Sequence, residues 1–327
     1  MAIKTLIEAV REGMHEEIRR DESVFILGQD IGRRGGVFLA TDGFIDDFGK
    51  HRVIDTPLAE SSIAGIALGS AMNGLRPIAE IQFADFIWPT FNQLIGEASR
   101  ARYSTNGAIN VPLLIRTPYG GGVRGGLYHS QSVESFFAHS PGLTVVAPST
   151  PYDAKGLIKS AIRSDDPVVF LEHKRTYRLV RGEVPDDEYT VPLCKAEVKM
   201  EGQHISLITY GLMVHLCAEA ARKLANDGIS VEVVDLRTLF PIDQVTILES
   251  VKKTGKVIIV HEDTKTGGLG GEISAVISSE AFEYLDGPVT RLCGPDVPAM
   301  PFSPPLEQEF MLSTEKIIDA VQKLVSY

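Results

Sequence analysis

The sequence is poor in cysteine: Cys194, Cys217 and Cys293 are widely spaced in 327 residues and form no C-x-x-C pair. That spacing suggests neither a disulfide framework nor a zinc site, and a reducing compartment is the expectation. Basic charge is not in excess. Lysine and arginine total 32 against 43 aspartates and glutamates, a formal net charge of −11. A face for nucleic acid or for an anionic membrane needs the opposite sign. No apolar run approaches the ~20 residues that span a bilayer. The N-terminal stretch places Ile3, Leu6, Ile7, Val10, Met14 and Ile18 at helical spacing and interleaves Glu8, Glu12, Glu16 and Glu17. A secretory signal would be continuously apolar and a transit peptide poor in acids, so a cytoplasmic protein is expected. The chain also has no G-x-x-x-x-G-K-[ST] phosphate loop, no G-x-S-x-G elbow and no H-E-x-x-H metal spacing.

What is present fits a globular enzyme. The 44% apolar and 23% charged composition is wrong for disorder, and the length suggests about two domains. Strand-like runs at Val24–Leu27, Arg52–Asp55, Pro77–Phe83, Val111–Arg116, Leu143–Ala147 and Val168–Glu172 alternate with helical patterns. Those include Ser61–Met72, rich in small residues, Phe91–Tyr103 and Tyr152–Ile162. Between Tyr177 and Pro192 the pattern dissolves into charge, proline and turn residues, and beyond it the alternation restarts. The second series runs from Ile205–Thr209 to strand Val289–Leu292, a proline-studded stretch from Pro295 to Pro305, and a last helix, Thr314–Leu324. Strands separated by helices of this length make parallel βαβ units. The expected fold class is therefore α/β, with two domains of mostly parallel sheet flanked by helices: residues 1–180, a linker 181–195, and residues 196–327.

Several residues could carry chemistry, and each has a plainer reading. Gly120-x-Gly122-x-x-Gly125 matches the dinucleotide fingerprint in form only. No helix opens at its last glycine, and no acid stands ~20 residues on within the same unit. A flexible loop presenting His129 explains it better. Gly267–Gly271 could hold a phosphate at a helix start, but an ordinary strand-to-helix turn accounts for it equally. Glu60 ends Thr56-Pro57-Leu58-Ala59-Glu60, just before the small-residue helix. An acid in a first helical turn is favourable by ~0.3–1 kcal/mol on dipole grounds alone; in an apolar pocket the same carboxylate could exchange a proton. His129, in Tyr128-His129-Ser130-Gln131-Ser132, is either a solvated loop histidine or a proton donor near neutral pH. Phe83, Phe86 and Trp88 read as strand-end packing, or as a surface for a planar heterocycle in a sheet crevice.

The combination is recognisable. Thr56–Glu60, Glu80-Ile81-Gln82-Phe83-Ala84-Asp85-Phe86, Tyr128–Ser132, Pro148–Gly156 and Val234-Asp235-Leu236-Arg237-Thr238 resemble the β chains of the thiamine-diphosphate-dependent 2-oxoacid dehydrogenases, in consistent order over nearly the whole chain. Gly126–Ser132 and Gln82–Asp85 look most like branched-chain (2-oxoisovalerate) members, with pyruvate and acetoin members as close relatives. The resemblance implies a transketolase-like pyrimidine-binding domain followed by a transketolase C-terminal-like domain. It implies two α and two β chains, with thiamine diphosphate bound across each α–β interface. The α chain would hold the diphosphate and Mg²⁺ through a Gly-Asp-Gly motif, which this sequence lacks, and this chain would supply no metal ligand.

By motif match, Glu60 bonds the pyrimidine ring nitrogen and promotes the reactive tautomer. Phe86 stacks on that ring, Leu58 and Gln82 line its pocket, and His129 donates a proton during acyl transfer to lipoamide. Family members usually show glutamate in the position of Gln29 in Gly28-Gln29-Asp30, so the contact attributed to it is altered here. Some relatives bind a structural K⁺ through carbonyls corresponding to those near Ala161–Asp166. Expected partners are the α chain and the lipoyl and subunit-binding domains of a dihydrolipoyl acyltransferase, the last often basic, which gives the −11 charge a counterpart. A self-sufficient transketolase-like enzyme and a non-catalytic α/β scaffold are the competing readings.

Overall fold

A computed structural model describes Met1 to Tyr327. The chain forms two compact units. The first comprises Met1–Tyr119 and Phe136–Leu193, the second Gly120–Ser135 and Cys194–Tyr327.

The first unit opens with strand Ala2–Thr5 and helix Leu6–Arg20. Thr5 caps the helix in a reciprocal box: Glu8 N donates to Thr5 Oγ1 at 3.4 Å while Thr5 N donates to the Glu8 carboxylate at 2.7 Å. The apolar stripe of this helix packs on helix Pro151–Arg163, where Gly13 lets the backbones approach: a Cβ there would lie 2.6 Å from Ile158. Lys155 and Lys159 reach across the seam, each 2.7 Å from Glu16. Beneath lies a parallel sheet whose strands pair in the order Thr144–Val146, Val168–His173, Leu114–Tyr119, Arg76–Glu80, Val24–Gly28, Val53–Asp55. Three of these six strands, Val24–Gly28, Leu114–Tyr119 and Val168–His173, are buried along their whole length, which is why they read as continuous apolar runs.

The second unit carries a five-stranded sheet in the order Thr290–Gly294, Val257–Thr264, Ile205–Thr209, Val231–Asp235, Glu197–Met200, with only the last strand antiparallel. Helices Leu212–Ala225, Gln244–Thr254, Leu269–Glu280 and Thr314–Val325 flank it.

The structure departs from the sequence expectations at four places. Arg181–Val184, expected as linker, is a strand pairing antiparallel with Ala2–Thr5; its charged, glycine-containing sequence suits an edge but hides the β pattern. The segment 120–135, expected within the first domain, belongs to the second unit. The expected helix Phe91–Tyr103 is a widened π turn over Asn92–Ala98 followed by helix Ser99–Ser104. Within the proline-studded stretch, Pro304 starts a helix, Pro304–Phe310, as proline can at a first helical position.

Three strands of the first sheet are tied together by ions. Arg116, 1% exposed, donates through Nε and Nη2 to Glu172 at 2.7 and 2.6 Å and through Nη1 to Glu80. Tyr177 completes the set with a 2.5 Å bond from its hydroxyl to Glu172. Burial pushes the Glu80 carboxyl up against the pull of Arg116, and burial beside Glu172 raises Tyr177. Burial alone would lower Arg116, but Glu172 and Glu80 reverse that and hold it protonated. Removing the cation would leave two buried carboxylates uncompensated. Arg116→Ala is therefore expected to lose about 3–5 kcal/mol of stability, read as a lower urea midpoint; a loss under about 1 kcal/mol would contradict this account.

Candidate active site

In a parallel sheet the loops beyond the strand C-termini converge on one edge, where open α/β folds bind ligands. The register defines that edge in the first unit: Gly28 lies opposite both Asp55 and Glu80, and Glu80 opposite Arg116. Leu58, Glu60, Gln82 and Phe86 all follow these strand ends, from two different strands. The structure thus places all four expected cofactor-binding residues in the segments that follow strand ends of the same edge.

Local contacts set the loops. Asp55 accepts hydrogen bonds from Gly32 N at 2.6 Å and Arg33 N at 3.4 Å, and Thr56 N donates to Gly28 O at 2.9 Å. Gln82 Nε2 donates to the backbone oxygen of Gln29 at 3.2 Å, so at the altered position the main chain makes this contact. Gly28 permits the close approach: a Cβ there would lie 2.9 Å from Glu80 O. An aromatic chain runs outward from the buried ion set, with Tyr177 5.1 Å from Phe38, Phe38 5.6 Å from Phe83, and Phe83 edge-on to Phe86 at 6.0 Å. Phe86 is held in place while remaining half-buried.

Glu60 is the first residue of helix Glu60–Met72. No group of the chain donates a hydrogen bond to its carboxylate or pairs with it. Leu58, two residues earlier, is 70% exposed, and the Thr56 hydroxyl is buried without a partner. A half-buried acceptor carboxylate, an exposed aliphatic side chain, an amide and an anchored aromatic ring fit a flat, nitrogen-bearing, mostly apolar heterocycle such as a pyrimidine.

His129 lies in the second unit, directly after the short turn Gly126–Tyr128. The neck of its loop is closed by Gly120 N donating to Gln131 O at 2.9 Å. Gly125 is required there, since a Cβ would lie 2.4 Å from His129 O. The glycine cluster thus shapes a loop, as the plainer reading had it. Gly268 and Gly270 serve packing as well, because a Cβ on either would lie 2.7 Å from the ring of buried His261, to which Gly270 N donates at 3.1 Å. Arg76 donates to the carbonyls of Ile162 and Ser164 at 3.1 and 2.9 Å and to Asp165 at 2.6 Å. Part of the oxygen set expected for K⁺ already faces a cation, and we assign no K⁺ there.

Sequence reasoning missed two polar clusters: the Arg116 set, and buried Glu134 with Asp263 and Glu262. The only available signal was an ionisable residue inside an otherwise apolar strand or helix start, as at Arg116 and Glu134.

Comparison with known proteins matches these features. Residues 4–180 match the family "Transketolase, pyrimidine binding domain" and residues 194–317 the family "Transketolase, C-terminal domain". A solved "Split gene transketolase, inactive beta4 tetramer" shares the fold, with TM-score 0.80 and 24% identity over 98% of both chains. The protein is therefore of the transketolase-domain class. At full length on both sides, it is 55% identical to the 2-oxoisovalerate dehydrogenase subunit beta of Bacillus subtilis. Over the same span it is 47% identical to the pyruvate dehydrogenase E1 component subunit beta of that organism. The chain belongs to the family of 2-oxoacid dehydrogenase β subunits, as its motifs implied. Membership implies dependence on thiamine diphosphate and operation with an α subunit.

With no partner inside the chain, the Glu60 carboxylate contributes to folding only through the helix dipole. Glu60→Ala should shift unfolding free energy by less than ~1 kcal/mol in a urea titration; a larger drop would assign Glu60 a structural role.

Proposed function

We propose that this chain is the β subunit of a branched-chain 2-oxoacid dehydrogenase, active only together with its α chain. The reading rests on the unpartnered Glu60 carboxylate at the C-terminal sheet edge, flanked by exposed Leu58 and anchored Phe86. Higher identity to a 2-oxoisovalerate than to a pyruvate relative supports the branched-chain substrate class.

Thiamine diphosphate, when bound, supplies the electron sink for loss of CO₂ from the 2-oxoacid. The chain's own residues orient it and manage protons. A protonated Glu60 would donate a hydrogen bond to the pyrimidine ring nitrogen and share that proton with it. Phe86 packs against the ring, while Leu58 and Gln82 border it. His129 donates a proton as the acyl group passes to lipoamide, the role of a positioned general acid. The diphosphate and Mg²⁺ are assigned to the α chain. Two α and two β chains, with the lipoyl and subunit-binding domains of a dihydrolipoyl acyltransferase, complete the proposed cytoplasmic assembly. The acidic charge of this chain supports binding a basic domain, an attraction that salt should weaken.

The test is reconstitution with the α chain. Glu60→Ala and His129→Ala should each lower turnover about 10²–10⁴-fold, the usual worth of a positioned proton donor or acceptor, with His129→Ala acting on acyl transfer to lipoamide. The wild-type complex should show a higher kcat/KM for 3-methyl-2-oxobutanoate than for pyruvate. Full turnover in both variants would leave the scaffold reading, and a preference for pyruvate would reassign the substrate.

A further inference from the structure

Carboxylates fasten the loop bearing His129 to the rest of the second unit. Glu262 accepts from Gly121 N at 2.5 Å, Glu307 from Arg124 N at 3.0 Å, and Asp263 from the Ser135 hydroxyl at 2.6 Å. Ser135 Oγ in turn accepts from Leu269 N at 3.1 Å. Between these anchors sits Glu134, completely buried, with one oxygen accepting from the Tyr210 hydroxyl at 2.7 Å and the other, Oε2, meeting no partner.

No lysine or arginine pairs with Glu134. The groups that face it are Tyr210 from the end of strand Ile205–Thr209 and Glu262 and Asp263 from strand Val257–Thr264. Behind Tyr210, His261 stacks at 6.1 Å between ring centroids. Burial lowers His261 to about 4, so it is neutral and offers no compensating charge. Glu134, fully buried beside Asp263 and Glu262 with no cation of its own, is costly to ionise, because each buried ion costs several kcal/mol. An acid that keeps its proton removes one charge, and an orphaned Oε2 is where that proton can reside.

We propose that Glu134 is a positioning residue that holds a proton at Oε2 and, with Asp263 and Glu262, clasps the glycine-rich loop 120–135 so as to set the place of His129. Burial, then the nearby Asp263, raises Glu134 to about 8, and burial raises Asp263 as well. The sign follows: the clasped loop binds the proton more tightly than the released loop, so clasping is strongest in acid. It weakens as pH rises through about 8. The importance of the clasp for catalysis rests on the His129 role proposed above; the clasp itself does not.

The test is hydrogen exchange of the 120–135 amides in the reconstituted complex at pH 7 and pH 9, corrected for intrinsic rates, for wild type, Glu134→Gln and Asp263→Asn. The wild-type loop should lose about 10-fold in protection between the two pH values. Glu134→Gln, which carries the uncharged form permanently, should keep its protection at pH 9. Acyl transfer to lipoamide should fall above pH 8 in wild type and persist there in the variant. If Glu134→Gln does not fold, Asp263→Asn gives the same reading by removing the neighbouring charge. Equal protection of the wild-type loop at both pH values would overturn the proposal, as would a variant whose protection falls like wild type. If the clasp behaves as expected but His129→Ala transfers acyl groups normally, the functional reading fails and the clasp stands.

Discussion

One guanidinium organises the functional edge of the first unit. Arg116 lies opposite Glu80 on one neighbouring strand and reaches Glu172 on the other, so three parallel strands are pinned in register. Gln82 follows two residues after Glu80, and Phe86 four residues later. Tyr177 carries the same constraint outward through Phe38 and Phe83 to Phe86. Charge-assisted bonds in a dry interior are strong and geometrically exacting. Apolar side chains alone would fill the space without fixing where the loops emerge.

The second unit handles buried carboxylates in the opposite way. Glu134 has no cation comparable to Arg116, so a proton takes its place. That difference suits what each cluster supports: in the first unit an ion set stiffens sheet strands, while in the second acids hold a loop with five glycines among residues 120–126. A clasp made of hydrogen bonds to main-chain and hydroxyl donors can open without disturbing the apolar core beneath it.

Much of this was legible from the residues. The buried parallel strands gave continuous apolar runs, and helix Leu6–Arg20 gave a clear 3.6-residue stripe. Leu58, Glu60, Gln82 and Phe86 were expected from motifs, and the register places the strand ends they follow on one edge. The edge strand Arg181–Val184 was illegible because three of its four residues are charged or glycine, which leaves no alternation to read. The widened turn at Asn92–Ala98 shares the helix period closely enough to pass for an ordinary helix. Placement of segment 120–135 could not be read because its anchors, Tyr210, Glu262, Asp263 and Glu307, lie 76 to 183 residues away.

The sequence by itself determined the alternation of strands and helices, the two domains and the family, because periodicity and motifs are local properties of the chain. Its low cysteine content and its acidity likewise argued against whole classes without any structure. Only the tertiary structure decided which ionisable side chains are buried together, and therefore which keep a charge and which keep a proton. That outcome depends on desolvation and on neighbours brought from distant positions. Arg116 and Glu134 look like ordinary polar residues along the chain; burial sets their roles.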